Sequence, residues 1–542
     1  MKLLKVELKM FSKLFYPNNH RCRKRTFLSF HIGVLIIGWV FIVAYPIKLL
    51  LMNGENFLLL SGMVCFRLCL YFWFFHTIGY WFYKILPFLV PSIKEERQII
   101  SSEHPKVAII IPIRDEPEAV VRRMLEALTK INYTNYEVII VDNSSIPLGF
   151  NFNLFVQKSE LTLKIVRKED TKGFKAGALN CALKILDNQV DYVLILDADH
   201  APQSDILKIL IPFLQSNKKL AFVQAPQRFK TNGNKILSHV YNFQQRIFFD
   251  HLCPGMSILK SLFMTGTNML IRKSALDKIG GFDESTLTED VRTSLLFHQG
   301  GWEGIYVNKT VAVGYPPPDI ASYHRQQRRW AIGTFQNFFE TLKLLFHSPN
   351  SLKIEQWLQY LGWNGTWYFQ GFCNLFLVWS SIIFLLTGFK PYIRVVDDFL
   401  VIVVISTLVY QIINEHKQSK TKYFTLFLSQ AIYFGNSIIF VLAFIDLICG
   451  RNISFYVTKK VRISTEYPSP IFTIYHSLFV STFFVVIGLS LWTKTDYSLG
   501  FFIWPFFFSF QSLMNLLFPW VFNEKLNAEL PENREHVRYR EK

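Results

Sequence analysis

Two acidic residues, two positions apart, are of the type that binds a divalent cation together with a nucleoside diphosphate. Asp197 and Asp199 follow directly after the apolar run 192–196. Carboxylates at the end of a strand bind Mg²⁺ or Mn²⁺ through one or two oxygens, and diphosphate oxygens can fill the remaining positions. The pattern therefore predicts a metal-bound nucleotide sugar. The structural alternative is that these residues only cap the next helix.

Two lysines form a second candidate site. Lys172 and Lys175 stand at the predicted start of the helix 176–186. Ammonium groups and free backbone N–H groups meet phosphate at such helix starts. The alternative is that both lysines are solvated surface residues.

The elements that must position these residues are readable from the apolar pattern. Four short apolar runs are residues 107–113, 136–141, 163–166 and 192–196, and helix-like segments at 118–130 and 176–186 lie between the first and second runs and between the third and fourth. This alternation predicts parallel strands, and ligands of such sheets bind beyond the carboxyl ends of the strands. Polar residues collect at those ends: Arg114, Asp115, Glu116, Asp142, Asp197, Asp199 and His200.

Composition indicates a membrane protein. Of the 542 residues, 51% are hydrophobic and only 18% are charged, and the net charge is +18. A globular chain has about 25% charged residues, so this content excludes disorder and an ordinary soluble enzyme. The excess of Lys and Arg fits cytoplasmic flanks of membrane helices better than nucleic-acid binding, which we do not expect. The cysteines show no metal spacing and predict no disulfide framework.

Apolar blocks predict the membrane segments, which are residues 27–51, 57–90, 372–389, 399–413, 423–449, 471–492 and 500–522. The basic first 26 residues place the N-terminus in the cytosol, so the soluble segment from about 100 to 350 is cytosolic too. Basic linkers flank the block 423–449 on both sides, so we expect it to lie in the interface. Six crossings then leave both termini cytosolic. The alternative is a seventh crossing with the C-terminus outside.

An aromatic stretch leads into the membrane and contains Trp357, Tyr360, Trp363, Trp367, Tyr368 and Phe369. Its roughly helical spacing fits anchoring at the interface, and it also fits the lining of a channel mouth that stacks on sugar rings.

Seven short motifs follow one another along the chain. They are IPIRDEP at 111–117, Asp142 after its strand, KAGALN at 175–180, DADHAP at 197–202, TED at 288–290, QQRRW at 326–330 and FYVTKK at 455–460. In order and spacing they resemble the motifs of the processive family 2 glycosyltransferases of the cellulose synthase type. The resemblance implies a GT-A-type α/β glycosyltransferase domain inserted in an α-helical multi-pass membrane protein, with about six transmembrane helices plus interfacial helices.

The same resemblance implies a role for each matching residue. Asp290 would be the general base, although its sequence position also fits an N-cap of the following helix. Asp199 and Asp197 would hold Mg²⁺ or Mn²⁺. The donor nucleotide would contact Glu116, Asp142, Lys175, Asp197, Gln326, Arg329 and the gating-loop residues Phe455, Val457, Thr458 and Lys460. The acceptor would contact Trp330, Thr288, Glu289, Gly266 and Thr267.

The implied activity is processive, inverting transfer from a UDP-sugar, with UDP-glucose favoured, to the non-reducing end of a growing β-glucan. Transfer would be coupled to export across the plasma membrane, with the catalytic domain in the cytosol. Expected partners are the donor, the polysaccharide acceptor and the lipid bilayer, and accessory secretion proteins or a homo-oligomer are possible.

The expected order of segments along the chain is a basic N-terminus with two membrane helices (1–100), the catalytic domain (101–320), interfacial helices (321–370), membrane and interfacial helices (371–449), a gating loop (450–470), two membrane helices (471–522) and a cytosolic tail (523–542).

One motif departs from the family and leaves the polymer open. The segment 262–268, LFMTGTN, stands where the family has a Phe-Phe-Cys-Gly acceptor motif. Alternatives are therefore a chitin or hyaluronan type synthase using UDP-N-acetylglucosamine, a mannan synthase using GDP-mannose, a non-processive lipid glycosyltransferase, and a non-enzymatic polysaccharide channel or scaffold. The predicted tail 523–542 is too short for a PilZ domain, which we do not expect.

Overall fold

The computed structural model describes residues 20–52, 54, 56–90, 104–147, 162–230, 236–388, 394–451, 470–493, 506–507 and 509–517. These residues form an α/β domain packed against a bundle of long apolar helices. The predicted gating-loop residues Phe455, Val457, Thr458 and Lys460 lie outside the described residues, as does the predicted tail 523–542.

The strands of the α/β domain are β1 (Lys106–Ile113), β2 (Tyr136–Asp142), β3 (Leu163–Arg167), β4 (Val190–Ile195), β5 (Ala201–Pro202), β6 (Leu220–Gln224), β7 (Arg228–Phe229), β8 (Met269–Arg272), β9 (Glu303–Tyr306) and β10 (Ala312–Gly314). The main sheet has seven strands in the order β3-β2-β1-β4-β8-β6-β9, and β5-β10-β7 form a small second sheet. The first four strands are parallel, as predicted. β8 runs antiparallel to β4 and β6, so the sheet as a whole is mixed.

The central strand β1 shows why an unbroken apolar run becomes a strand here. Ala108 and Ile110 face one hydrophobic core, whereas Val107, Ile109 and Ile111 face the other. Since helices cover both faces of the sheet, every side chain from 107 to 111 is buried, as in parallel sheets generally.

The helices in chain order are α1 (His20–Trp39), α2 (Tyr45–Met52), α3 (Phe57–Leu89), α4 (Glu118–Leu128), α5 (Phe174–Leu183), α6 (Ile206–Ser216), α7 (Ile236–Arg246), α8 (Cys253–Leu259), α9 (Lys273–Ile279), α10 (Glu289–Gln299), α11 (Ile320–His347), α12 (Ile354–Trp357), α13 (Asn364–Thr366), α14 (Gln370–Thr387), α15 (Arg394–Ser419), α16 (Tyr423–Gly435), α17 (Ser437–Ile448) and α18 (Pro470–Thr493). Three π-helical turns, at Val40–Ala44, Ile247–Leu252 and Leu358–Trp363, join successive helices. The longest helix outside the apolar bundle is α11, which Asp319 caps by accepting the N–H of Ser322 at 2.7 Å.

Among the described residues, five helical segments are long and apolar enough to cross a membrane: Lys24–Lys48, Phe57–Leu89, Ile354–Thr387, Asp397–Ser419 and Tyr423–Ile448. The apolar block 399–413 has only 15 residues, but the helix α15 that contains it has 26. That length exceeds the roughly 20 residues that a crossing needs.

The block 423–449 is long enough to cross, and it is broken into α16 and α17 at Asn436. α16 packs against α7, and α17 packs against the amphipathic α11. α16 also packs against α15, and α17 also packs against α14, so both helices contact the apolar bundle as well. The orientation of this block in a membrane stays a prediction.

A buried ion pair joins two of the apolar helices. Arg67 of α3 lies 2.6 Å from Asp397 of α15, and both side chains are almost completely buried. Charges inside an apolar bundle are costly unless they are paired, so this contact fixes the two helices relative to each other.

Candidate active site

A lysine and an aspartate meet at the carboxyl ends of the strands. Lys175, in the first turn of α5, places its Nζ 2.5 Å from Oδ1 of Asp197, which follows β4. The same ammonium donates to the carbonyl oxygen of Gly266 at 2.8 Å. The backbone N–H of Asp197 donates to Oγ1 of Thr267 at 2.9 Å. Lys175 therefore faces the site, whereas Lys172 is exposed, as the surface alternative predicted for it.

Asp197, Asp199 and His200 form a potential cation site. Their candidate ligand atoms all lie within 4.8 Å of one another. Asp199 accepts the N–H of Tyr315 at 3.2 Å, and its other oxygen lies 3.4 Å from Nδ1 of His200. Nε2 of His200 is buried without a hydrogen-bond partner in the described part of the chain. Two fixed carboxylates and an open imidazole nitrogen fit a divalent cation, and the carboxylates suit Mg²⁺ or Mn²⁺.

Asp290 is the second residue of α10 and not its N-cap. Thr288 occupies the N-cap position but makes no capping bond through its side chain. Within the described residues, the carboxylate of Asp290 accepts the N–H of the adjacent Val291 at 2.8 Å. The capping alternative for Asp290 is therefore wrong, and its second oxygen, Oδ2, faces Gly266.

Burial shapes the electrostatics around Asp290. Burial, followed by the neighbouring carboxylate of Glu289, raises the pKa of Asp290 to about 7, although Lys175 and Arg329 oppose the shift. Burial also raises the pKa of Glu289. Burial by itself lowers the pKa of Lys175. The negative charges of Asp197 and Glu289 outweigh this effect, so the pKa of Lys175 is raised. A carboxylate that titrates near pH 7 is suited to general-base chemistry.

Gly266 leaves a gap open between Asp290 and Lys175. A Cβ at this position would lie 3.2 Å from Oδ2 of Asp290 and 3.5 Å from Nζ of Lys175. Its φ of 86° also lies in the left-handed region, which favours glycine. The residue thus leaves room between the two charged groups.

The first half of α11 closes the other side of the site. Gln326, Arg329 and Trp330 lie at helical spacing on one face and line the same cavity as Asp290. Arg328 points elsewhere and pairs with Asp446 of α17. Of the two adjacent arginines, therefore, Arg329 is the one that lines the cavity.

A single cavity of about 410 Å³ connects this site with the apolar helices. Its catalytic part contains the potential cation site and Asp290. Its other part is lined by α3, α15 and α16 through residues that include Trp73, His76, Tyr80, Thr407, Gln411, Gln430 and Tyr433. Of the aromatic stretch, Trp363, Trp367 and Tyr368 line the cavity, whereas Trp357 and Tyr360 pack in the core of the α/β domain.

The structure brings most of the predicted site residues together. Those that line the cavity are Lys175, Asp197, Asp199, Gly266, Thr288, Glu289, Asp290, Gln326, Arg329 and Trp330. Thr267 is fully buried behind Asp197. Glu116 and Asp142 follow β1 and end β2, outside the cavity lining, and Asp142 pairs with Arg167 at 3.0 Å.

Sequence reasoning missed the part of the cavity that the apolar helices line, and it placed His200 at the strand ends without assigning it as a metal ligand. The signal for the former was present, since His76, Thr77 and Tyr80 are polar or amphipathic residues at helical spacing inside an apolar block. Such a face inside a membrane helix points to a polar or aromatic lining.

The catalytic segment matches a known enzyme family. Residues 192–414 match the family model described as glycosyl transferase family group 2. The chain contains a family 2 glycosyltransferase domain. The mixed sheet of this transferase, with its acidic motif at the strand ends, is a GT-A-type fold.

Relatives of the transferase include synthases of two polysaccharides. The cellulose synthase catalytic subunit [UDP-forming] of Komagataeibacter sucrofermentans is 30% identical over 291 residues, which are 52% of this chain and 37% of that one. The probable glucomannan 4-beta-mannosyltransferase 7 of Oryza sativa is 30% identical over 245 residues, which are 43% of this chain and 41% of that one. The chain thus spans about two fifths of the length of these relatives.

One solved structure with a similar outline is the mannosyltransferase PcManGT from Pyrobaculum calidifontis, in complex with GDP-Man and Mn²⁺. It is 16% identical to the transferase, with a TM-score of 0.49, and the alignment covers 73% of this chain and all of that one.

Proposed function

We propose that this chain is a processive, inverting β-glucan synthase. It transfers glucose from UDP-glucose to the non-reducing end of a growing chain and exports the product through its own helices. The observation that carries the proposal is the single cavity that Asp199, Asp290 and Trp330 share with the residues of α3, α15 and α16. A non-processive transferase would not need such a passage, and a channel alone would not need the buried carboxylates.

The proposed base is Asp290. In its ionised form, Oδ2 accepts the proton of the acceptor hydroxyl while the oxygen of that hydroxyl attacks the anomeric carbon and the diphosphate departs. A single displacement inverts the configuration at that carbon. Placing the two substrates in one pocket supplies most of the acceleration, and a positioned base typically adds about 10²- to 10⁴-fold.

The departing diphosphate is proposed to meet Lys175 and Arg329. Both cations line the cavity beside Asp290, and the planar guanidinium of Arg329 can contact two phosphate oxygens at once. Asp197, Asp199 and His200 would hold Mg²⁺ or Mn²⁺. The cation, when bound, stabilises negative charge on the leaving nucleoside diphosphate. The uridine contacts assigned to Glu116 and Asp142 and the contacts of the gating-loop residues remain proposals.

The terminal sugar of the acceptor is proposed to stack on Trp330, and the growing polymer is proposed to leave the active site between aromatic rings of the cavity lining. Trp73, Trp363, Trp367 and Tyr433 line the same cavity. Aromatic faces suit the faces of sugar rings, while edge polar groups such as Gln411 suit their hydroxyl groups. The proposed location is the plasma membrane, with the catalytic domain and both termini in the cytosol, which rests on the basic first 26 residues and the order of the apolar blocks.

A second donor is favoured by the relatives. Several of them are named glucomannan 4-beta-mannosyltransferases, including number 9 of Arabidopsis thaliana, which is 27% identical over 279 residues. A β-mannan synthase that uses GDP-mannose is therefore the alternative to the β-glucan synthase.

A donor comparison in membrane vesicles tests the proposal. Vesicles that contain the full chain receive radiolabelled UDP-glucose, UDP-N-acetylglucosamine or GDP-mannose with Mg²⁺ or Mn²⁺. We expect a high-mass product from UDP-glucose that a β-glucanase degrades, and none from the matched Asp290→Asn vesicles. A mannanase-sensitive product from GDP-mannose would replace the donor assignment, and single-sugar products would refute processivity.

A further inference from the structure

One face of α11 lines the cavity with its first residues and contacts the start of α10 with later ones. Gln326, Arg329, Trp330, Gly333 and Asn337 share one stripe of the helix, because 326, 329, 333 and 337 follow one another at steps of three or four residues and Trp330 is adjacent to Arg329. The first three line the cavity. The last two lie one and two turns further along and face the segment 287–290 that leads into α10.

Asn337 holds this segment by two hydrogen bonds. Its Nδ2 donates to Oγ1 of Thr288 at 2.8 Å and to the carbonyl oxygen of Thr288 at 3.3 Å. Both residues are buried, with 3% of Asn337 and 8% of Thr288 exposed. Next to them, Oε1 of Gln336 accepts the N–H of Leu287 at 3.0 Å.

Gly333 allows the segment to approach the helix. A Cβ at Gly333 would lie 2.6 Å from Oγ1 and Cγ2 of Thr288, and 2.8 Å from its backbone nitrogen. Such distances exclude any side chain, because the backbone of Thr288 would have to move. The segment is therefore packed directly on the backbone of α11.

The contact also explains the missing cap of α10. A threonine at an N-cap position ordinarily accepts an N–H from the first turn of its own helix. Here Oγ1 of Thr288 accepts from Asn337 and makes no capping bond. The start of α10, and with it Asp290, is thus fixed by α11, which also carries Arg329.

We propose that Asn337 is a positioning residue for glycosyl transfer, which fixes Asp290 relative to Arg329 by holding Thr288 on α11. The inference rests on the proposed function, because it assumes that Asp290 is the base. A displacement of about 1 Å in such an arrangement can lower a rate about 10²-fold.

The test variant is Asn337→Leu, which keeps the size of the side chain and removes its donor. We expect kcat to fall about 10- to 100-fold, while the KM for the donor changes less than about twofold. Gln336→Leu, at a half-buried position, should produce a smaller loss of kcat in the same direction. The control is Thr341→Val, whose hydroxyl donates at 2.7 Å to the backbone carbonyl oxygen of Asn337, so that this change removes a buried hydroxyl beside Asn337 but leaves the side-chain bonds of Asn337 to Thr288 in place. We expect this control to match the unmodified protein.

The pH profile of kcat separates positioning from a general structural role. Burial keeps the pKa of Asp290 near 7, with Glu289 adding to the shift and Lys175 and Arg329 opposing it. A loosened segment admits water, so the acid limb of Asn337→Leu should move to lower pH. Unchanged kcat and pH profiles in both leucine variants would overturn the inference, as would a rise in donor KM equal to the loss of kcat. Inactivity of the unmodified chain with all donors would instead refute the proposed function.

Discussion

Replacing Asp290 with Asn is expected to lower the rate of sugar transfer about 10²- to 10⁴-fold, the usual contribution of a positioned general base. The amide has nearly the same size as the carboxylate but cannot take the proton of an acceptor hydroxyl. Binding of UDP should persist, because Lys175, Arg329 and the potential cation site are unchanged. Transfer is measured as radiolabelled polymer, and UDP binding is measured by calorimetry on the same detergent-solubilised protein.

The control for this variant is Asp277→Asn, at an exposed carboxylate that pairs with Lys273 on the surface of α9. It should leave the rate unchanged. The unmodified enzyme should lose activity below about pH 7, roughly tenfold for each pH unit, because protonation of Asp290 removes the base. An Asp290→Asn protein that keeps most of its activity, or an acid limb near pH 4, would contradict the assignment.

Removal of the cation should be the other large effect. Chelation with EDTA, or the change Asp199→Asn, is expected to lower transfer about 100-fold or more, since a bound cation contributes several kcal/mol to the stabilisation of developing charge. Mn²⁺ or Mg²⁺ added back should restore the chelated enzyme but not the variant at low cation concentration. Manganese binding can be followed directly by electron paramagnetic resonance.

Asp205→Asn is the matched control for Asp199→Asn, because Asp205 is an exposed carboxylate a few residues further along the chain. Its manganese binding and its rate should equal those of the unmodified protein. Full activity in EDTA, together with unaltered manganese binding by Asp199→Asn, would show that these carboxylates do not form the cation site.

The parts of the site that could be predicted from the sequence are those carried by local patterns. The unbroken apolar run of β1 predicted a strand covered on both faces, and an acidic pair following β4 predicted the cation site. Lys175 could be placed at a helix start, although the pattern did not separate it from Lys172. These residues could be found because each depends on a few neighbours along the chain.

The remaining features depend on contacts between distant parts of the chain. Thr288 and Asn337 are 49 positions apart, and nothing in either local pattern indicates that one holds the other. The cavity lining from Trp73 to Tyr433 depends on how apolar helices pack, which hydropathy does not encode. The antiparallel β8 was likewise not singled out, because its four residues give too short a pattern.

The most direct test of the central claim is where the product accumulates. Vesicles with the cytosolic face outward receive UDP-glucose from outside, and a β-glucanase is then added with or without detergent. If one cavity joins transfer to export, the labelled polymer will resist the glucanase until detergent opens the vesicles. Polymer that is fully digested in intact vesicles would contradict the account.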